Sequence, residues 1–202
     1  MRHVDLLIER YPALGVCRED IENSVKAILE MYHAGGKLLL CGNGGSCADC
    51  EHISGELLKG FLLARKPLPE EIEGLDESIA SSLQRGIPAI PLTSLTAVST
   101  AFANDVAPAN IFAQLVFALG GKSDVFFGIS TSGNSGNVLA AAKTAKVRGL
   151  KTIAMTGMKG GKLNDVADIC IKVPECETFK VQELHLPVYH AICAEVEEAL
   201  FG

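Results

Sequence analysis

The chain has 202 residues, 48% of them hydrophobic and 21% charged, with a formal net charge of −6. This length matches one ordinary domain, and this balance excludes a disordered chain. An acidic chain without a long basic run also lacks the electrostatic footprint of nucleic-acid binding, so we expect no nucleic-acid partner.

The N-terminus and the cysteines indicate a cellular compartment. Charged side chains are interspersed among the apolar positions from Arg2 to Arg10, which excludes both a signal peptide and a membrane span. Seven cysteines, an odd number, do not suit a secreted disulfide scaffold. We therefore expect a cytoplasmic protein with no membrane partner.

Apolar residues at helical spacing predict helices over residues 4–14 and 19–33. Residues 37–41 then form a short apolar run, as in a strand buried on both faces. Similar runs follow at 87–92, 124–129, 152–155 and 169–173, and helical stretches are predicted at 46–60, 94–119, 135–148 and 178–200. The run at 87–92 contains two prolines, which favours an edge strand or a bulge.

This alternation of strands and helices predicts an α/β fold with one domain over residues 1–202. The expected architecture is a doubly wound, mostly parallel five-stranded sheet between two helical layers, Rossmann-like or flavodoxin-like. Residues 61–86 differ in composition, with prolines followed by acidic residues and then serines, and are interpreted as a surface insertion. The helices within residues 1–33 are expected to take part in contacts between subunits.

Two loops have a composition typical of a phosphate-binding site. Residues 41–46, Cys-Gly-Asn-Gly-Gly-Ser, come directly after a predicted strand and open a helix, where free amides and the helix dipole favour an anion. Taken alone, this could equally be a tight turn. Residues 128–135, Gly-Ile-Ser-Thr-Ser-Gly-Asn-Ser, follow a later strand in the same way; the alternative is a solvated loop with Ser135 as helix cap. Because both loops follow parallel strands, we expect them to meet at one sheet edge.

These motifs, together with residues 150–157, resemble the sugar isomerase (SIS) domain family, and within it the phosphoheptose isomerases. The resemblance runs from about residue 20 to the C-terminus, apart from 61–86. It implies a single SIS domain, an enzyme that interconverts an aldose and a ketose phosphate, and a homotetramer with sites at subunit interfaces. It also implies a metal: several members of the family bind zinc, and no organic cofactor is expected.

Carried over residue by residue, the resemblance implies two sets of site residues. Substrate would be held by Asn43, Gly44, Gly45, Ser46, Asn104, Asp105, Ser130, Thr131, Ser132, Ser135, Glu56 and Gln182. Zinc would be held by His52, Glu56, Gln182 and His190, of which Glu56 would be the catalytic base and His190 its acid–base partner. His185 is not assigned a catalytic role.

Without the resemblance, the same residues have plainer interpretations. His52 and Glu56 are four residues apart and share one face of the predicted helix, near the end that adjoins the glycine-rich loop. They could be an ordinary surface pair. His185 or His190 could be a buried core histidine. Asn104 and Asp105 could simply end a helix in a turn.

Three functions are compatible with these features. The first is an isomerase that converts sedoheptulose 7-phosphate to D-glycero-D-manno-heptose 7-phosphate through an enediol, as part of heptose biosynthesis. The second is a non-catalytic adaptor of the same fold, like the protein that associates with the bacterial replication initiator. Such an adaptor lacks the glutamate and the final histidine, which are present here as Glu56 and His190. The third is an enzyme or sensor for another sugar phosphate.

Overall fold

Five parallel strands form the central sheet of the computed structural model, which describes all 202 residues. Their order is β2-β1-β3-β4-β5. Their bounds are β1 Leu38–Cys41, β2 Ala89–Pro91, β3 Val125–Ile129, β4 Lys151–Gly157 and β5 Ile169–Val173. The sequence predicted a mostly parallel sheet, and in fact every strand pair is parallel.

Nine helices surround the sheet. They are α1 Arg2–Arg10, α2 Arg18–His33, α3 Gly45–Leu58, α4 Glu77–Ala80, α5 Thr96–Asp105, α6 Ile111–Leu119, α7 Gly136–Arg148, α8 Leu163–Val166 and α9 Thr178–Phe201. None of them combines the length and hydrophobicity that crossing a membrane requires.

The strands are apolar throughout because both faces of the sheet are covered. Along β1, Leu38 and Leu40 pack into a core with α1, α2, α3 and α9, whereas Leu39 and Cys41 pack into a second core with α6 and α7. The three-layer α/β fold predicted from the sequence is therefore confirmed.

The sequence left an edge strand or a bulge open for residues 87–92, and β2 is an edge strand. One helix differs from the sequence prediction. The helical stretch predicted at 94–119 is instead two helices, α5 and α6, separated by a 3-10 turn at Pro108–Asn110. Pro108 has no amide hydrogen to continue the first helix, which explains the break.

Residues 61–86 contain little regular structure. A 3-10 turn spans Pro69–Glu71, and α4 is a single helical turn. The segment returns to the sheet where the amide of Ile87 donates to the carbonyl of Leu57 at the end of α3 (2.8 Å).

Candidate active site

The glycine-rich loop joins β1 to α3. Gly44 has φ of 56°, a left-handed conformation that glycine adopts without strain. Gly45 starts α3, and a Cβ atom there would lie 2.3 Å from Nε2 of Gln182. The absence of a side chain at Gly45 therefore lets Gln182 of α9 approach the loop closely.

The serine-rich loop joins β3 to α7. Ser135 occupies the N-cap position of α7, but its hydroxyl makes no capping bond. It lies instead 2.9 Å from the hydroxyl of Ser130. Ser132 accepts a bond from the amide of Asn134 (3.1 Å). The hydroxyls are thus grouped on the loop beside the helix start, where an anion is favoured.

The two loops meet, as the sequence predicted. Strands β1 and β3 are neighbours, with Cys41 paired to Gly128. Beyond their ends, the side-chain amides of Asn43 and Asn137 exchange two hydrogen bonds, each 2.9 Å long. The bonds fix the glycine-rich loop against the first turn of α7.

A second cluster lies where α3 packs against α9. Nε2 of His52 is 3.2 Å from Oε1 of Glu56 and 3.5 Å from Nε2 of His190. The carboxylate is mostly shielded from solvent, at 17% exposure. Burial, and to a lesser extent the neighbouring His52, lower the pKa of His190. The cluster thus combines one carboxylate with two imidazoles.

Tyr189 supports this cluster. Its hydroxyl lies 2.9 Å from Nδ1 of His52, which directs the other ring nitrogen of His52 towards Glu56 and His190. Burial, together with the nearby Asp49 carboxylate, raises the pKa of Tyr189. The sequence analysis did not identify Tyr189 or Asp49. The available signals were that Tyr189 is next to His190 and that Asp49 comes about one helical turn before His52.

Phe61 completes one wall of the cluster. Its ring centroid lies 5.6 Å from that of His190. Both rings border a cavity of about 450 Å³ that runs between α1 and α9. No sequence pattern identified Phe61, because residues 61–86 were interpreted only as an insertion.

The position of Glu56 corrects one prediction. It was expected near the loop end of its helix, but it lies in the last turn of α3, eleven residues after Gly45. At a rise of about 1.5 Å per residue, this places Glu56 roughly 16 Å along the helix from the loop. Within one chain the hydroxyl-rich loops and the Glu56 cluster are therefore separate.

Other predicted residues lie outside the cluster. The amide of Gln182 packs against Gly45, and it makes no hydrogen bond to His52, Glu56 or His190. Asn104 donates to the carboxylate of Asp105 (2.8 Å) at the end of α5, a helix without buried residues. The roles proposed for these three residues stay predictions.

Comparison with known proteins gives the family. The model of the SIS domain matches residues 15–157. Phosphoheptose isomerase 2 of Campylobacter jejuni is 42% identical over 182 residues, which are 90% of this chain and 81% of that protein. The chain belongs to the phosphoheptose isomerases.

Solved phosphoheptose isomerases share the fold. The structure from Neisseria gonorrhoeae matches with a TM-score of 0.77 and 32% identity, over 98% of this chain and 96% of that one. The structure from Francisella tularensis matches with a TM-score of 0.79 and 31% identity, over 94% and 91%. The predicted SIS fold and the expectation of an isomerase are confirmed.

Proposed function

We propose that this phosphoheptose isomerase converts sedoheptulose 7-phosphate to D-glycero-D-manno-heptose 7-phosphate through an enediol. The observation that carries the proposal is the convergence of Glu56 and His190 on His52, because this pairs a carboxylate with an imidazole of lowered pKa. Both residue types transfer protons near neutral pH.

The reaction needs only proton movements. Forming the aldose moves a proton from C1 to C2 and another from O1 to O2, with no net oxidation. We assign the carbon proton to the Glu56 carboxylate and the oxygen protons to the His190 imidazole. A neutral imidazole can both accept and donate a proton, which suits His190 to this shuttle.

The phosphate would bind remotely, in the hydroxyl-rich loops. Ser130 and Ser135 lie together beside the start of α7, and the buried Ser46 lies in the first turn of α3. We propose that Thr131 and Ser132 add contacts to the phosphate, and that Asn43, Gly44 and Gly45 contact sugar or phosphate. Binding energy at the phosphate then orients the reacting carbons.

We propose zinc as the metal. No group of three His, Cys, Asp or Glu side chains stands ready to hold an ion. However, the spacings of 3.2 and 3.5 Å around Nε2 of His52 match the donor separation of about 3.4 Å in a tetrahedral zinc site. His52, Glu56 and His190 would hold the ion. Gln182 would join them by resemblance, from the copy that supplies the loops, because its amide lies beside Gly45. Zinc bound there would polarise the sugar oxygens.

We propose that the active site is completed between copies of the chain in a homotetramer. The reacting carbons of a seven-carbon sugar lie within roughly 10 Å of its phosphate, given bonds of about 1.5 Å. This is shorter than the roughly 16 Å between Gly45 and Glu56 estimated from the helix rise. The loops of one copy facing Glu56 of another would remove the mismatch. The exposed α5, with Asn104 and Asp105, is suited to such an interface.

The proposed location is the cytoplasm, and the proposed pathway is heptose biosynthesis. The test of function is turnover of sedoheptulose 7-phosphate by the wild type and by Glu56→Gln. We expect the wild type to form the aldose and Glu56→Gln to lose about a thousandfold in kcat. A wild type inactive on sedoheptulose 7-phosphate would instead support an isomerase of another sugar phosphate or the non-catalytic adaptor. An active Glu56→Gln would exclude the assigned base.

A further inference from the structure

An ion pair buried behind the cluster connects the same two helices. Nε of Arg65 lies 2.7 Å from Oε1 of Glu197, and both side chains are almost completely excluded from solvent (0% and 1% exposed). Arg65 comes from the segment after α3, and Glu197 lies two turns beyond His190 on α9. Two opposite charges buried this deeply need full hydrogen bonding to be tolerated.

Arg65 supplies part of that bonding at the end of α3. Its Nη1 donates to the carbonyl of Leu57 (2.6 Å) and its Nη2 to the carbonyl of Glu56 (2.9 Å). Carbonyls in the last turn of a helix have no partner within the helix, and a cation there also complements the helix dipole. The guanidinium therefore holds the backbone of the very residue assigned as the base.

Glu197 holds the chain that follows α3. Its carboxylate accepts hydrogen bonds from the amides of Phe61 (2.8 Å), Leu62 (2.7 Å) and Leu63 (3.2 Å). Burial by itself would raise the pKa of Glu197, but these amides and Arg65 outweigh it and lower the pKa. The same contacts place the Phe61 ring against His190.

We propose that Arg65 and Glu197 are positioning residues, which set the relative placement of Glu56 and His190 by tying the last turn of α3 to α9. The proposal rests on the assignment of Glu56 and His190 under the proposed function. Both side chains are buried, so neither Arg65 nor Glu197 touches the substrate. Their effect belongs in kcat, because their hydrogen bonds hold the end of α3 and the start of the following segment, beside Glu56 and His190, and none goes to a phosphate loop.

Arg65→Lys and Glu197→Gln test the proposal. Lysine keeps the charge of Arg65 but lacks the planar fork that reaches Glu197 and both carbonyls at once. Glutamine keeps the shape of Glu197 without its charge. We expect kcat with sedoheptulose 7-phosphate to fall at least about tenfold, and KM to stay within about threefold, at temperatures well below each Tm.

Asp124→Asn is the matched control. Asp124 is also a buried acid that accepts backbone amides, from Lys37 (2.9 Å) and Gly121 (2.7 Å), and it pairs with the Lys37 ammonium (2.7 Å). It lies at the amino ends of β1 and β3, away from the cluster. We expect a lower Tm at unchanged kcat.

Unchanged kcat in both Arg65→Lys and Glu197→Gln would overturn the proposal, and so would a loss confined to KM. An equal loss of kcat in Asp124→Asn would also overturn it, since general destabilisation would then explain the effect. If one of the two variants does not fold, the other decides. Full activity of Glu56→Gln would contradict the assignment of Glu56 as the base. This result would distinguish failure of the proposed function from failure of the proposed role of Arg65 and Glu197.

Discussion

Nε2 of His52 lies 3.5 Å from Nε2 of His190, although 138 residues separate them in the chain. Their ring planes are nearly perpendicular, at 87°. This contact joins two sequence motifs, one on α3 and one on α9, into a single cluster with Glu56. The predictions below test what the cluster and the two loops do.

The first prediction concerns zinc. We expect the purified wild type to contain zinc, and His52→Ala to lose it. Tyr189→Phe removes the hydroxyl beside Nδ1 of His52, so it should weaken zinc binding by about tenfold or more. Metal analysis after dialysis against graded chelator measures both effects.

His33→Ala is the control for zinc, because His33 is an exposed histidine at the end of α2. Its zinc content should equal that of the wild type. Equal zinc content in His52→Ala and the wild type would contradict the proposed ligand set.

The second prediction concerns shared active sites. Glu56→Gln and Ser130→Ala/Ser135→Ala should each have little activity alone. If the loops of one copy serve Glu56 of another, random mixed oligomers should regain about one quarter of wild-type activity. The measurement is turnover after the two variants are unfolded together and refolded. A mixture no more active than its components would place each site within one chain.

The third prediction concerns Gly45, where a Cβ would lie 2.3 Å from Nε2 of Gln182. Gly45→Ala should displace Gln182 and reduce kcat/KM by about tenfold or more. Gly55→Ala on the same helix is the control, since a Cβ at Gly55 has nothing within 4 Å.

Gly55→Ala should keep full activity and gain up to about 1 kcal/mol in the free energy of unfolding, because alanine favours the helix. Steady-state kinetics and urea unfolding measure the two effects. Equal kinetics in Gly45→Ala and Gly55→Ala would show that the close approach of Gln182 has no role in catalysis.

The fourth prediction concerns His185, whose buried ring has no hydrogen-bond partner. Burial lowers its pKa from 6.5 to about 4. Below pH 6.5 the His185 imidazole binds a proton in the unfolded chain, whereas in the folded chain it does so only near pH 4. The free energy of unfolding should therefore decrease as pH falls through this window, by about 3 kcal/mol from this residue.

His185→Leu removes the titrating group at similar volume. The difference in unfolding free energy between wild type and His185→Leu should change with pH between about 6.5 and 4, and be constant above 7. Urea unfolding across this range measures it. Parallel stability curves over the whole range would show that His185 titrates alike in both states.

The sequence by itself determined the α/β fold and the meeting of the two loops, and it limited β2 to an edge strand or a bulge. These follow from local patterns: apolar runs require strands buried on both faces, and parallel strands end at one edge. The family resemblance added Glu56 and His190 as candidates.

Only the tertiary structure decided which side chains meet across the chain. Tyr189 beside His52, Phe61 beside His190 and the Arg65–Glu197 pair depend on how α9 packs against α3. It also placed Glu56 at the far end of its helix from the loops. The physical reason is that helical spacing alone fixes which residues share one face of a helix. Where a helix starts and ends, and which helix it packs against, depend on contacts with residues distant in the sequence.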